Sequence, residues 1–86
     1  MKTRKDLCDW IVDALNDLNG SAQIIKIREH IWQHHQEDLV KSGNLHFTWH
    51  EDLFWAATQL RAKGMLKNAK ATSKGVWALN KINAIK

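Results

Sequence analysis

Three apolar repeats at helical spacing, a shift to alternating spacing after Gly64, and a lysine-bearing stretch inside the alternating region predict an α+β fold. Their order is helix, short strand, helix, helix, hairpin. That order is the one found in a winged helix-turn-helix, with three helices and a two- to three-stranded antiparallel β-wing. The 86 residues are 44% hydrophobic, enough for one modest core, so residues 1–86 read as a single domain.

The first helix follows from Leu7, Trp10, Ile11, Ala14, Leu15 and Leu18, with Asn19-Gly20 as a left-handed stop. Asp6, Asp9, Asp13 and Asp17 recur every three or four residues on the flank of that face, an acidic stripe that would repel phosphates. Ser21 to Ile24 fit a short first strand. Ile27, Ile31 and Leu39 mark a second helix ending near Lys41, and Ser42-Gly43-Asn44 opens a connecting loop through Phe47. Thr48-Trp49-His50-Glu51 has the capping-box pattern, so the third helix is expected to start there. It runs through Leu53, Ala56, Ala57 and Leu60 to Lys63, and Gly64 ends it. Met65–Ala69 and Gly75–Leu79 are the expected hairpin strands, joined by Lys70-Ala71-Thr72-Ser73-Lys74, with Trp77 and Leu79 on the core side.

Net charge is +4, and it is unevenly spread. From Arg61 onward the chain carries +7 and no Asp or Glu, whereas residues 1–60 carry −3. A purely cationic final third beside an acidic front predicts one face for a polyanion and one turned away from it. Cys8 is the only cysteine, which excludes an internal disulfide and a cysteine-built zinc site. Beside apolar Leu7, it reads as packing filler. No apolar run approaches the roughly 20 residues of a membrane span, and the start lacks a signal-peptide apolar region, so a cytoplasmic location is expected.

His30 and His34 stand one helical turn apart, with His35 beside them, but the segment lacks the zinc-protease Glu and no third ligand is in view. No metal site is therefore expected. No glycine-rich phosphate loop and no serine-histidine-acid arrangement is visible, so neither a cofactor nor enzyme activity is expected.

At 100° per residue, Ala57, Leu60 and Gly64 fall within about 40° of Leu53 on the third helix, which makes that arc the core side. The opposite arc holds Glu51, Trp55, Thr58, Gln59 and Ala62. These are the candidate base-reading residues: Gln59 offers a donor and an acceptor to adenine, while Thr58, Ala62 and Trp55 can lie against a methyl group. The candidates for the DNA backbone are Arg61, Lys63, Lys67, Lys70, Thr72, Ser73 and Lys74, since flexible lysines on a hairpin tip neutralise phosphates without reading sequence. Trp10 and Trp77 read as core and Phe54 as core margin; Trp32 and Trp49, at helix edges, are candidate aromatic contacts.

The segment Trp55-Ala56-Ala57-Thr58-Gln59-Leu60-Arg61-Ala62-Lys63-Gly64-Met65-Leu66, followed by Lys74-Gly75-Val76-Trp77-Ala78-Leu79, resembles the N-terminal winged-helix domain of Mrr-type restriction proteins. Glu37-Asp38-Leu39-Val40-Lys41-Ser42-Gly43 also resembles that family's approach to its third helix. The resemblance covers about half the chain. It implies binding to double-stranded DNA, with adenine-methylated DNA (N6-methyladenine) as the sharper target, in a restriction or regulatory setting beside a nuclease domain or partner protein outside this chain. Asp52 and Ala57 depart from it, each removing a positive charge common in the third helix of the family. A different class of function stays open: a protein-interaction module whose docking patch is an exposed cluster of Trp55, Trp49 and Trp32.

Overall fold

A computed structural model of the chain describes residues 2–68, 70 and 72–80. Ala69 and Ala71 of the expected hairpin, and Lys81 and Lys86 of the cationic tail, lie outside the described residues. Among the described residues the architecture is α+β, with three helices and a two-stranded antiparallel sheet: α1 (Arg4–Asp17), β1 (Ser21–Gln23), α2 (Ile24–Val40), α3 (Leu45–Ala62) and β2 (Val76–Ala78). Among the described residues, no helix is long and apolar enough to cross a membrane.

Helix α1 starts where its free amides find acceptors. The Thr3 hydroxyl accepts from the Lys5 amide at 3.3 Å, and the Asp6 carboxylate accepts from the Thr3 amide at 2.8 Å. Its far end needs a left-handed backbone, supplied by Asn19 (φ 69°) and Gly20 (φ 93°), and the Gly20 amide donates to the Leu15 carbonyl at 2.7 Å. Leu7, Trp10, Ile11, Ala14 and Leu15 form the buried face, as their spacing predicts. Asp9, Asp13 and Asp17 are exposed along its flank.

Helix α2 has no side-chain cap; its first amide, on Ile24, donates instead to the Gly75 carbonyl at 2.9 Å. The turn before β2 thus fixes where α2 begins. His35 leaves helical geometry (φ −129°, ψ 19°) and stacks flat on Trp10 with ring centroids 4.0 Å apart. Partial burial there lowers the imidazole pKa below its ordinary value. Ile27, Ile31 and Leu39 face the core. Buried Ser42 closes the turn after α2: its hydroxyl donates to the Asp38 carbonyl and accepts from the Lys2 amide at 3.0 Å.

Helix α3 begins one turn earlier than the capping pattern predicts. Leu45 is the first helical residue, so Leu45–Phe47 are helix and not loop. The cause is burial: Leu45 joins Trp49, Leu53, Ala56, Ala57 and Leu60 on one continuous core face. Thr48 therefore lies inside the helix, and its hydroxyl donates to the Asp52 carboxylate at 2.7 Å and caps nothing. The end falls as expected at Gly64 (φ 78°), beyond which the Met65 amide returns to the Leu60 carbonyl at 2.9 Å.

The strand pairing also departs from a simple hairpin. β2 pairs with β1, in the register Ser21 with Ala78, Ala22 with Trp77 and Gln23 with Val76. The expected strand from Met65 touches β2 only through an isolated bridge between Leu66 and Leu79. Hydrogen bonds from Lys67 to Ala78 and from Asn80 to Met65, both 2.9 Å, flank that bridge. The Asn68 side chain accepts from the Lys70 amide at 3.0 Å. α1 and α3 make the most extensive helix contact, and Trp77 seals the core beneath the sheet.

Candidate nucleic-acid interface

The end of α3 and the segment before β2 meet in a hollow of about 380 Å³. Arg61, Lys70, Thr72, Ser73 and Lys74 line it, and Trp77 contributes to its wall. Five residues expected on the DNA backbone are thus brought together, although Arg61 lies nine or more positions from the other four. Arg61 is held in place because its Nε donates to the Lys67 carbonyl at 3.4 Å. A turn closed by the Val76 amide on the Ser73 carbonyl, at 3.0 Å, sets Ser73 and Lys74 opposite. Among the described residues no carboxylate lines the hollow, so its three cations face whatever enters without an acidic neighbour in that lining.

Lys63 and Lys67 take other positions. Partial burial pushes the Cys8 thiol pKa up, against the opposing pull of the Lys63 charge. That thiol sits 3.9 Å from the Ala56 carbonyl, packed against the core as filler. Lys67 is half-buried, with its backbone engaged by both Ala78 and Arg61.

On α3, the arc opposite the core splits in two. Glu51, Thr58 and Ala62 are exposed, as expected. The Thr58 hydroxyl donates to the Phe54 carbonyl at 3.0 Å, which leaves its oxygen as an acceptor. Trp55 and Gln59 are only half-exposed, and this corrects the expectation of an outward indole. α1 packs along that side of α3, and the Arg4 guanidinium lies 4.2 Å from the Trp55 ring centroid. The aromatic surface that does face solvent belongs to Phe47, 82% exposed, and Phe54, 51% exposed. Phe54, expected at the core margin, is exposed, and its ring meets buried Trp77 in a T-shaped contact with centroids 5.7 Å apart. Its 100° offset from Leu53 was the available signal, and it placed the residue too close to the core.

The remaining tryptophans do not make an exposed patch. Trp49 is 5% exposed and Trp32 half-buried, and the two rings stack with centroids 6.2 Å apart. Beside them runs a groove of about 460 Å³ between α2 and α3, lined by Ile25, Arg28, Glu29, Trp32, His46, Trp49 and His50. Partial burial and, secondarily, the Arg28 charge hold the His50 imidazole pKa below its ordinary value.

One cluster is only partly visible in the linear sequence. Asp17, at the end of α1, meets His30 and His34 of α2 and supplies the third ligating group that their spacing alone lacked. No protein-family model matches the chain, and no curated protein and no solved structure is significantly similar to it.

Proposed function

We propose that residues 1–86 form a winged-helix domain that binds double-stranded DNA, carrying out no chemistry of its own. In this reading the outward arc of α3 enters the major groove and the segment from Lys67 to Gly75 is the wing that rides on the backbone. The observation that carries it is the convergence of Arg61, Lys70, Thr72, Ser73 and Lys74 in one carboxylate-free hollow at the end of α3. Glu51, Thr58 and Ala62 stand where base edges would pass, with Phe54 as neighbouring apolar surface.

Recognition of N6-methyladenine is the sharper form of the proposal, motivated by the likeness to Mrr-type restriction domains, which also motivates a nuclease partner. Its methyl contact falls to Thr58, Ala62 and Phe54, because Trp55 becomes available only once Arg4 leaves its ring. The test is a fluorescence-anisotropy titration of plain and adenine-methylated duplexes at two salt concentrations. Binding that weakens steeply with salt is expected; no binding to either duplex, or binding indifferent to salt, overturns the proposal. Equal affinity for the two duplexes removes the methyl-reading form alone.

A protein-interaction module is the second reading. The groove between α2 and α3 favours it, since Ile25 is 52% exposed at its edge and Trp32 and Trp49 line it. An apolar docking contact there would respond little to salt, which separates it from DNA binding in the same titration.

A further inference from the structure

We propose that Asp17, His30 and His34 form a binding site for a divalent transition-metal ion of the zinc class, joining the end of α1 to the middle of α2. Each residue offers one ligand atom, and these atoms lie within 4.8 Å of one another. In a tetrahedral site with bonds of about 2.0–2.2 Å, ligand atoms stand roughly 3.4 Å apart. The present spacing brackets that value: His30 Nε2 is 2.8 Å from Asp17 Oδ2, so this pair must open by about half an ångström. The Asp17 side chain is 63% exposed and free to make that adjustment, while His30, at 13%, is the fixed post.

Two further observations point to a cation. The ring of His34 is oriented by its Nδ1, which lies 2.9 Å from the His30 carbonyl. Donation from Nδ1–H to that carbonyl leaves Nε2 bare, the arrangement by which backbone carbonyls commonly prepare a ligating histidine. The last turn of α1, where Asp17 sits, contains no basic residue, so the negative end of the helix is uncompensated on this side. Asp13 and Asn16 border the same hollow and add oxygen atoms nearby.

Imidazole nitrogen with a carboxylate suits Zn²⁺, Ni²⁺ or Cu²⁺ better than Ca²⁺ or Mg²⁺. Three protein ligands leave a fourth position for water. The His30 and His34 rings now stack at 4.0 Å with an interplanar angle of 19°, so they must tilt apart to converge on one ion. His30 Nδ1 is buried without a partner, so no acceptor steadies that ring from behind. Affinity in the micromolar range is expected, because missing outer partners typically weaken a site by roughly 10–100-fold.

The test is isothermal titration of untagged chain with zinc chloride, paired with thermal unfolding in the presence and absence of excess Zn²⁺. One equivalent should bind and raise the unfolding midpoint. Asp17→Asn and His34→Ala, both at exposed positions, should each weaken Zn²⁺ at least tenfold while leaving the metal-free circular dichroism unchanged. His50→Ala should leave Zn²⁺ affinity as it was. No zinc binding at a hundred micromolar overturns the proposal. So does zinc binding that survives both ligand substitutions, or that is lost in His50→Ala, which would place the ion in the α2–α3 groove.

Discussion

Trp55 and Arg4 illustrate how a single side chain can take a different job from the one its helix position implies. The wheel puts Trp55 on the outward arc, but α1 supplies a guanidinium 4.2 Å from the ring centroid, and a cation over an indole is worth about 0.5–1 kcal/mol at such a partly exposed site. Trp55→Ala should therefore lower stability by about 2 kcal/mol in denaturant unfolding, because half a tryptophan's packing is lost. It should change the ratio of affinities for methylated and plain duplex little. His50 gives a second expectation at this scale. Its folded-state pKa lies below its unfolded value of about 6.5, so the native state binds the proton less readily than the unfolded chain. Its contribution is fully present above that value and is lost as the pH falls through the folded pKa. An NMR titration should find the His50 midpoint below 6.5, and lower than in an unfolded peptide of the same sequence.

The helices differ in how openly the sequence announces them. α1 is legible along its buried face and at its far end because its signals there are local: a burial period over Leu7 to Leu15 and a left-handed stop at Asn19-Gly20. Even so, its capping pair Thr3 and Asp6 lay unnoticed before the first apolar residue. α3 is legible at its end and misleading at its start. Thr48-x-x-Glu51 is a sound local pattern, and tertiary burial of Leu45, 6% exposed, overrides it. Leu45→Ala should cost about 2–5 kcal/mol, as for a buried leucine, whereas Thr48→Ala should cost only a few tenths, since no cap is lost. Comparing the two midpoints in urea checks which residue starts the helix. The strand expected from Met65 shortens to a bridge for a related reason: β2 already has β1 as its ladder partner, and Leu66 meets Leu79 in an isolated bridge.

At the scale of the whole chain, charge asymmetry was the most transferable signal. The sequence after Leu60 carries seven cations and no acid, and the fold gathers three of them, Arg61, Lys70 and Lys74, around one hollow. What composition could not say is which lysines converge: Lys63 and Lys67 do not line the hollow that Lys70 and Lys74 share. Asp17 as the partner of His30 and His34 was illegible for the same reason, since the packing of α1 on α2 brings it to them. A polyanion should therefore sense Lys70 and Lys74 together and independently of base sequence. The salt dependence of duplex affinity, measured for the parent chain and for Lys70→Ala/Lys74→Ala, reads this directly. The slope of log K against log salt should become shallower by about 2 in the double variant, close to one unit for each phosphate contact removed. Identical slopes in the two proteins would contradict the placement of the cationic hollow on DNA.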